Sequence, residues 1–221
     1  MMINTASPDT NRLAQELARR LSEALGQVLT GFGDTNAEPP ALTIQPAAQA
    51  IAPALLARRH PGGPKAQRDA RALYQRCLAH YREKVQRGLP EDDLGAAAAY
   101  FVLANLAALQ NLDITESQLA LVERQMRHVI GRHDAWLAAD ARERQSLFEQ
   151  LAILGVLVGE GQAEARHQGE AALANVRLAA RGYLVQLLGL NPDALRLTSE
   201  GLTLRAEVLM PELPTVDEPQ E

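Results

Sequence analysis

Aromatic side chains are the chain's clearest shortage: one Trp, four Tyr and three Phe in 221 residues. Together with a scarcity of β-branched residues, this argues against a sheet-dominated fold, whose half-buried pleated faces draw on those types. A single cysteine, Cys77, excludes an internal disulfide framework. No apolar run approaches the ~18 residues of a membrane span. The longest, residues 151–158, is interrupted by Gly155 and flanked by polar residues. The opening Met1-Met2-Ile3-Asn4-Thr5 has neither a basic n-region nor an apolar h-region. The expectation is therefore a soluble cytoplasmic protein, or a periplasmic or secreted one if a native leader was removed. Lys and Arg number 22 against 27 Asp and Glu, a net charge of -5, which fits neither a disordered chain nor a nucleic-acid-coating one.

What is present favours helices, since Ala and Leu together supply about a third of the residues. Ser7-Pro8-Asp9 opens a helix near residue 8, with Leu13, Leu17, Leu21, Leu25 and Leu29 forming a ridge spaced by four and charges on the opposite face. Pro39, Pro40, Pro46, Pro53, Pro61 and Pro64 then forbid a long helix. Residues 36–63 read as a proline-rich linker draped over the core, with room for a turn or two within 47–58.

Beyond Pro64, five helices are predicted. Ala70, Leu73, Tyr74, Cys77, Leu78, Tyr81 and Val85 share one face of the first, which Gly88-Leu89-Pro90 breaks. Asp92 or Asp93 caps the second, running to about Gln110. Thr115 with Gln118, and Asp140 with Glu143, are capping boxes for the third and fourth. The fourth is apolar all round between Leu151 and Val158, which marks it as central. Its Gly155-x-x-x-Gly159 lets another backbone approach, the expected partner being the small Ala96–Ala99 surface. Gln168-Gly169 starts the fifth, and Gly189 ends it in a left-handed conformation. Leu195, Leu197, Leu202 and Leu204 flank Ser199-Glu200-Gly201 as a hairpin. The expected fold is thus an all-α bundle of about five core helices. An amphipathic helix occupies residues 1–35, the core domain with its C-terminal hairpin spans 64–205, and the acidic, proline-bearing tail 206–221 reads as disordered.

Three stretches carry a resemblance: Leu147-Phe148-Glu149-Gln150-Leu151-Ala152-Ile153-Leu154-Gly155, Arg177-Leu178-Ala179-Ala180-Arg181-Gly182-Tyr183-Leu184, and Leu195-Arg196-Leu197-Thr198-Ser199-Glu200-Gly201-Leu202. On these, residues 64–205 resemble an uncharacterised bacterial domain-of-unknown-function family. That resemblance implies an all-helical fold and, because many members begin with a secretory leader, an envelope location. It implies no activity and no catalytic residue.

The chemistry-bearing residues do not assemble into a known catalytic pattern. Five histidines (His60, His80, His128, His133, His167) include no His-Glu-x-x-His, and Glu164 with His167 is one Glu-x-x-His where a di-iron bundle needs two. Cys77 and His80 share a helix face without the second cysteine of a zinc set. No Gly-x-Ser-x-Gly elbow exists, and Gly31-Phe32-Gly33 is a Gly-x-Gly without a preceding strand. No catalytic residue, metal or cofactor is predicted.

Two features suggest binding instead. Residues 58–87 hold nine basic and two acidic side chains, so Arg68, Arg76, Arg82 and Arg87 form a basic face; without interleaved aromatics it reads as a solvated or protein-binding surface rather than a nucleic-acid one. Glu149 is expected to be partly buried and to pair with Arg177 or Arg181, beside Tyr183. The leading expectation is a non-catalytic accessory or adaptor protein that engages a protein partner through the leucine ridge, the basic face or both. The alternative is a small-ligand-binding bundle or enzyme with a polar pocket near Glu149, Arg177, Arg181 and Tyr183. Oligomeric state is not encoded in any of these patterns.

Overall fold

The structure, a computed structural model, describes residues 13–17 and 38–204. Its helices are α1 (Ala52–Arg59), α2 (Pro64–His80), α3 (Leu94–Gln110), α4 (Glu116–Gly131), α5 (Asp134–Ala138), α6 (Ala141–Gln168) and α7 (Glu170–Leu188), followed by strands β1 (Leu195–Thr198) and β2 (Gly201–Leu204). The all-α bundle with a C-terminal hairpin is the expected architecture. Among the described residues no helix is long and apolar enough to cross a membrane.

Local chemistry sets the ends of these elements. The Asp93 carboxylate accepts from the Ala96 amide at 3.0 Å and caps α3. Both predicted capping boxes form, Thr115–Gln118 on α4 and Asp140–Glu143 on α6. Asn111 and Gly189 close α3 and α7 in left-handed conformations. One short helix lacks a counterpart in the sequence reading: α5, whose first turn is held by the His133 ring accepting from Ala135 N at 3.1 Å.

The core is centred on two helices rather than one. Helix α3 is buried along nearly its whole length and lies against α6, with α2, α4 and α7 around the pair. Expectation placed α6 alone at the centre, because the run of four alanines in α3 reads as small rather than as buried. Gly155 does meet α3, at the two residues that directly follow Ala96–Ala99. A side chain there would sit 2.8 Å from the Tyr100 ring and 3.2 Å from Phe101 Cα.

The proline-rich segment is not a linker. Leu42 and Ile44 are buried on alternate positions of an extended strap, and Ala52 and Leu55 of α1 join the same core. Leu42 N donates to the Asp93 carboxylate at 2.9 Å, Leu94 N to Leu42 O at 3.1 Å, and Ile44 N to Asp92 O at 2.9 Å. Prolines at 39, 40 and 46 forbid a helix yet suit an extended chain. The alternation of Leu42, Thr43, Ile44 and Gln45 is the period-two signal of such a strand. Leu13 and Leu17 also belong to the core. The packed unit therefore begins well before residue 64. Leu21, Leu25, Leu29 and the tail 206–221 lie outside the described residues.

The hairpin pairs Leu195 with Leu204 and Thr198 with Gly201, and Gly201 takes φ 105° at the turn. Two strands are marginal alone. This pair is fastened to α4 by Gln125, which accepts from Leu202 N at 2.8 Å and donates to Leu202 O at 3.2 Å.

Candidate functional site

The expected cluster of Glu149, Arg177, Arg181 and Tyr183 is dispersed. Glu149 is wholly buried, and its Oε2 accepts from the backbone amides of Ile51 at 2.7 Å and Ala52 at 2.8 Å, while Oε1 accepts from Gln145 Nε2 at 2.8 Å. A carboxylate set against the N-terminus of a helix meets both unsatisfied amides and the positive end of the helix dipole. Glu149 thus caps α1, which has no side-chain cap of its own. Gln145 completes the clamp by accepting from Ala47 N at 2.9 Å and donating to Gln49 O at 3.1 Å. The arginines pair elsewhere. Arg181 grips Asp193 with two bonds of 2.7 and 2.8 Å, and Arg177 reaches Glu170 at 3.5 Å, both on the surface. The predicted Glu149–arginine pair does not form because backbone amides already satisfy the carboxylate.

Of the four, Tyr183 lines a groove. The groove has a volume of about 620 Å³ and lies among α1, α2, α6 and α7, with Ala14 and Gln15 at its edge. Leu56, Leu73, Leu154, Leu157 and Leu187 give it apolar walls. Tyr74 and Tyr183 contribute half-buried rings, and burial pushes both phenols above their ordinary pKa, with each other's company adding to the effect at Tyr183. Gln150 presents a buried amide fixed in place, its Nε2 donating to Ser146 O at 3.1 Å and Ser146 Oγ at 3.2 Å. Arg59 and His60, where α1 finishes, also belong to the lining. Arg59 has no ion-pair partner among the described residues. The size falls within the range of small-molecule sites, and the lining combines a broad apolar surface with few polar groups.

The sequence pointed to Tyr183 but missed the groove. Its walls come from two pairs of consecutive helices about 60 residues apart in the chain, and the segment 52–61, read as linker, supplies Leu56, Arg59 and His60.

Burial pushes the Cys77 thiol up, away from the thiolate that reactivity requires. Among the described residues no three His, Cys, Asp or Glu side chains gather as a metal-holding group. Glu164 accepts from Gln168 at 2.9 Å, and His80 sits 3.5 Å from Glu160 on the surface.

The basic face is present and open to solvent. Arg68, Arg76, Arg82 and Arg87 are all exposed, and Arg82 lies 3.6 Å from Asp92. The leucine ridge is different, because Leu13 and Leu17 are only 2% and 1% exposed. Those two residues are spent on the protein's own core and are not free to hold a partner.

Fold and groove together define an α-helical bundle with an open, apolar-walled cleft. Residues 3–205 match the family of unknown function DUF6683, and the chain belongs to that family. The match begins ahead of residue 64, in keeping with the burial of Leu13, Leu17, Leu42, Ile44, Ala52 and Leu55. No curated protein and no solved structure matches the chain.

Proposed function

We propose that this is a non-catalytic binding protein whose groove takes a small amphipathic organic anion, with an aliphatic or aromatic body and one acidic group. The observation that carries this reading is the composition of the groove: five leucines and two tyrosines, with Arg59 and His60 in the same lining. The apolar body gains from leaving water in proportion to the area covered, and the acidic group lies beside a cation that has no other partner among the described residues. Gln150, Tyr74 and Tyr183 supply hydrogen bonds that orient the ligand. Decanoate and 1-decanol separate the two contributions. Each is tested for displacing the fluorescent anion 1-anilinonaphthalene-8-sulfonate from the full chain. Decanoate displaces the dye more effectively than 1-decanol, and Arg59→Gln reduces that advantage by up to about fivefold, the usual scale of an exposed charge pair. Leu157→Trp, which fills the groove, abolishes displacement by both. Equal binding of acid and alcohol to both the wild type and Arg59→Gln contradicts the reading.

A second reading rests on the exposure of Arg68, Arg76, Arg82 and Arg87, which leaves an adaptor role toward an acidic protein partner open to that face. Replacing all four with Gln preserves helix propensity while removing the charge. In that reading, capture of an acidic partner weakens in the variant and in high salt.

A further inference from the structure

The chain carries a segment with the chemistry that the groove selects. Past β2, residues 206–221 hold five Asp or Glu and no Lys or Arg, set among Val208, Leu209, Met210, Leu213 and Val216. Pro211-Glu212-Leu213-Pro214 within them is a Pro-x-x-Pro sequence. Such segments dock in aromatic-lined grooves, because proline holds φ at about −65° and leaves the bound chain little entropy to lose. The groove supplies that lining: Tyr74 and Tyr183 both belong to it and are only half-buried, and Leu73 beside them is 38% exposed.

We propose that residues 208–214 of the same chain occupy the groove, with Glu212 toward Arg59, so that tail and ligand compete for one site. This contact rests on the groove being the ligand site, and the tether allows it. Leu187 lines the groove, Leu195 follows eight residues later, and Leu195 pairs with Leu204, the last described residue. Eight residues extend at most about 29 Å, and a paired strand adds about 5.5 Å. The Gly189 cap and the bonded turn from Asn191 to Ala194 shorten that path. The ten residues from 205 to 214 reach about 35 Å, enough to lay the Pro-x-x-Pro sequence on the lining. The exposed basic face meets the acidic charges of this segment but not the apolar residues between them, whereas the groove meets both.

A fluorescein-labelled peptide of residues 206–221 tests this by titration into a chain ending at Arg205, which keeps every described residue. The peptide is expected to bind saturably, to be displaced by decanoate, and to lose binding to Leu157→Trp. A peptide carrying Leu213→Asp binds at least about tenfold more weakly. In the full chain the tether holds the tail at about 1 mM effective concentration, so a peptide Kd of about 0.1 mM means that removing 206–221 tightens decanoate about tenfold. Leu209→Asp with Leu213→Asp in the full chain gives the same gain. Absence of saturable peptide binding, or peptide binding that persists in Leu157→Trp and falls when Arg68, Arg76, Arg82 and Arg87 become Gln, overturns the proposal. Equal decanoate affinity with and without the tail also overturns it, and leaves the groove as a ligand site. A full chain that sediments as a dimer while the shortened one is a monomer contradicts the contact within one chain and gives the tail to a second copy.

Discussion

Tyr81 sits fully buried between Phe148, edge-on at 5.8 Å, and Tyr100, tilted at 5.7 Å. Its hydroxyl has no hydrogen-bond partner among the described residues. An unpaired buried polar group costs about 1–3 kcal/mol. Tyr81→Phe keeps the ring contacts and removes that cost, so its urea midpoint should rise; a fall shows that the hydroxyl is satisfied. The tyrosines also set the alkaline limit of stability. Burial, then the neighbouring Glu160 and Cys77, pushes Tyr100 up to about 12, and burial first, followed by Asp93, raises Tyr81 further. The native state therefore retains protons that the unfolded chain has released, and stability present below pH 10 is lost as pH climbs toward 12 and beyond. The melting temperature should fall less steeply over pH 10–12 in Tyr100→Phe than in wild type. Glu149 is the reverse case of a group fully engaged. Glu149→Gln turns an acceptor into a donor against amides that also donate, at a cost of about 1–3 kcal/mol read from the urea midpoint. Residue-scale caps such as Thr115–Gln118 were legible because both partners lie within one turn. The partners of Glu149 are backbone amides 97 and 98 positions away, and no side-chain pattern encodes those.

Among elements, the glycines of α6 and α7 separate close packing from mere presence in a helix. A Cβ at Gly155 meets the Tyr100 ring and the Phe101 backbone, and the backbone cannot yield as a flexible side chain can. Gly155→Ala should destabilise by about 1–3 kcal/mol, the range of an overpacked core. Gly182 has nothing within 4 Å of its would-be Cβ, so Gly182→Ala should stabilise by about 0.5–1 kcal/mol through helix propensity alone. Chemical denaturation of the two variants side by side tests both signs. That Gly155 faces another helix closely was readable from its place in an apolar run. Which residues of α3 it meets were not, since the crossing point depends on how all the helices settle together. The strap shows the opposite failure. Leu42 and Ile44 carried a period-two signal, but six prolines nearby drew the reading toward a linker.

For the whole molecule, the question is where the folded unit begins and what its cleft holds. A chain starting at residue 64 loses the strap, α1 and the two amides that satisfy Glu149, leaving a buried carboxylate with one of its three partners. The full chain should melt cooperatively and the truncated one should not. The functional account depends on the same segment, because Leu56, Arg59 and His60 reach the groove only when α1 is docked. Isothermal titration of decanoate into the full chain tests that account most directly. One site per chain is predicted, with a negative heat-capacity change from burying the apolar body and loss of binding in Leu157→Trp. Absence of saturable binding, or binding that persists unaltered in the filled-groove variant, would contradict the assignment of the groove as the ligand site.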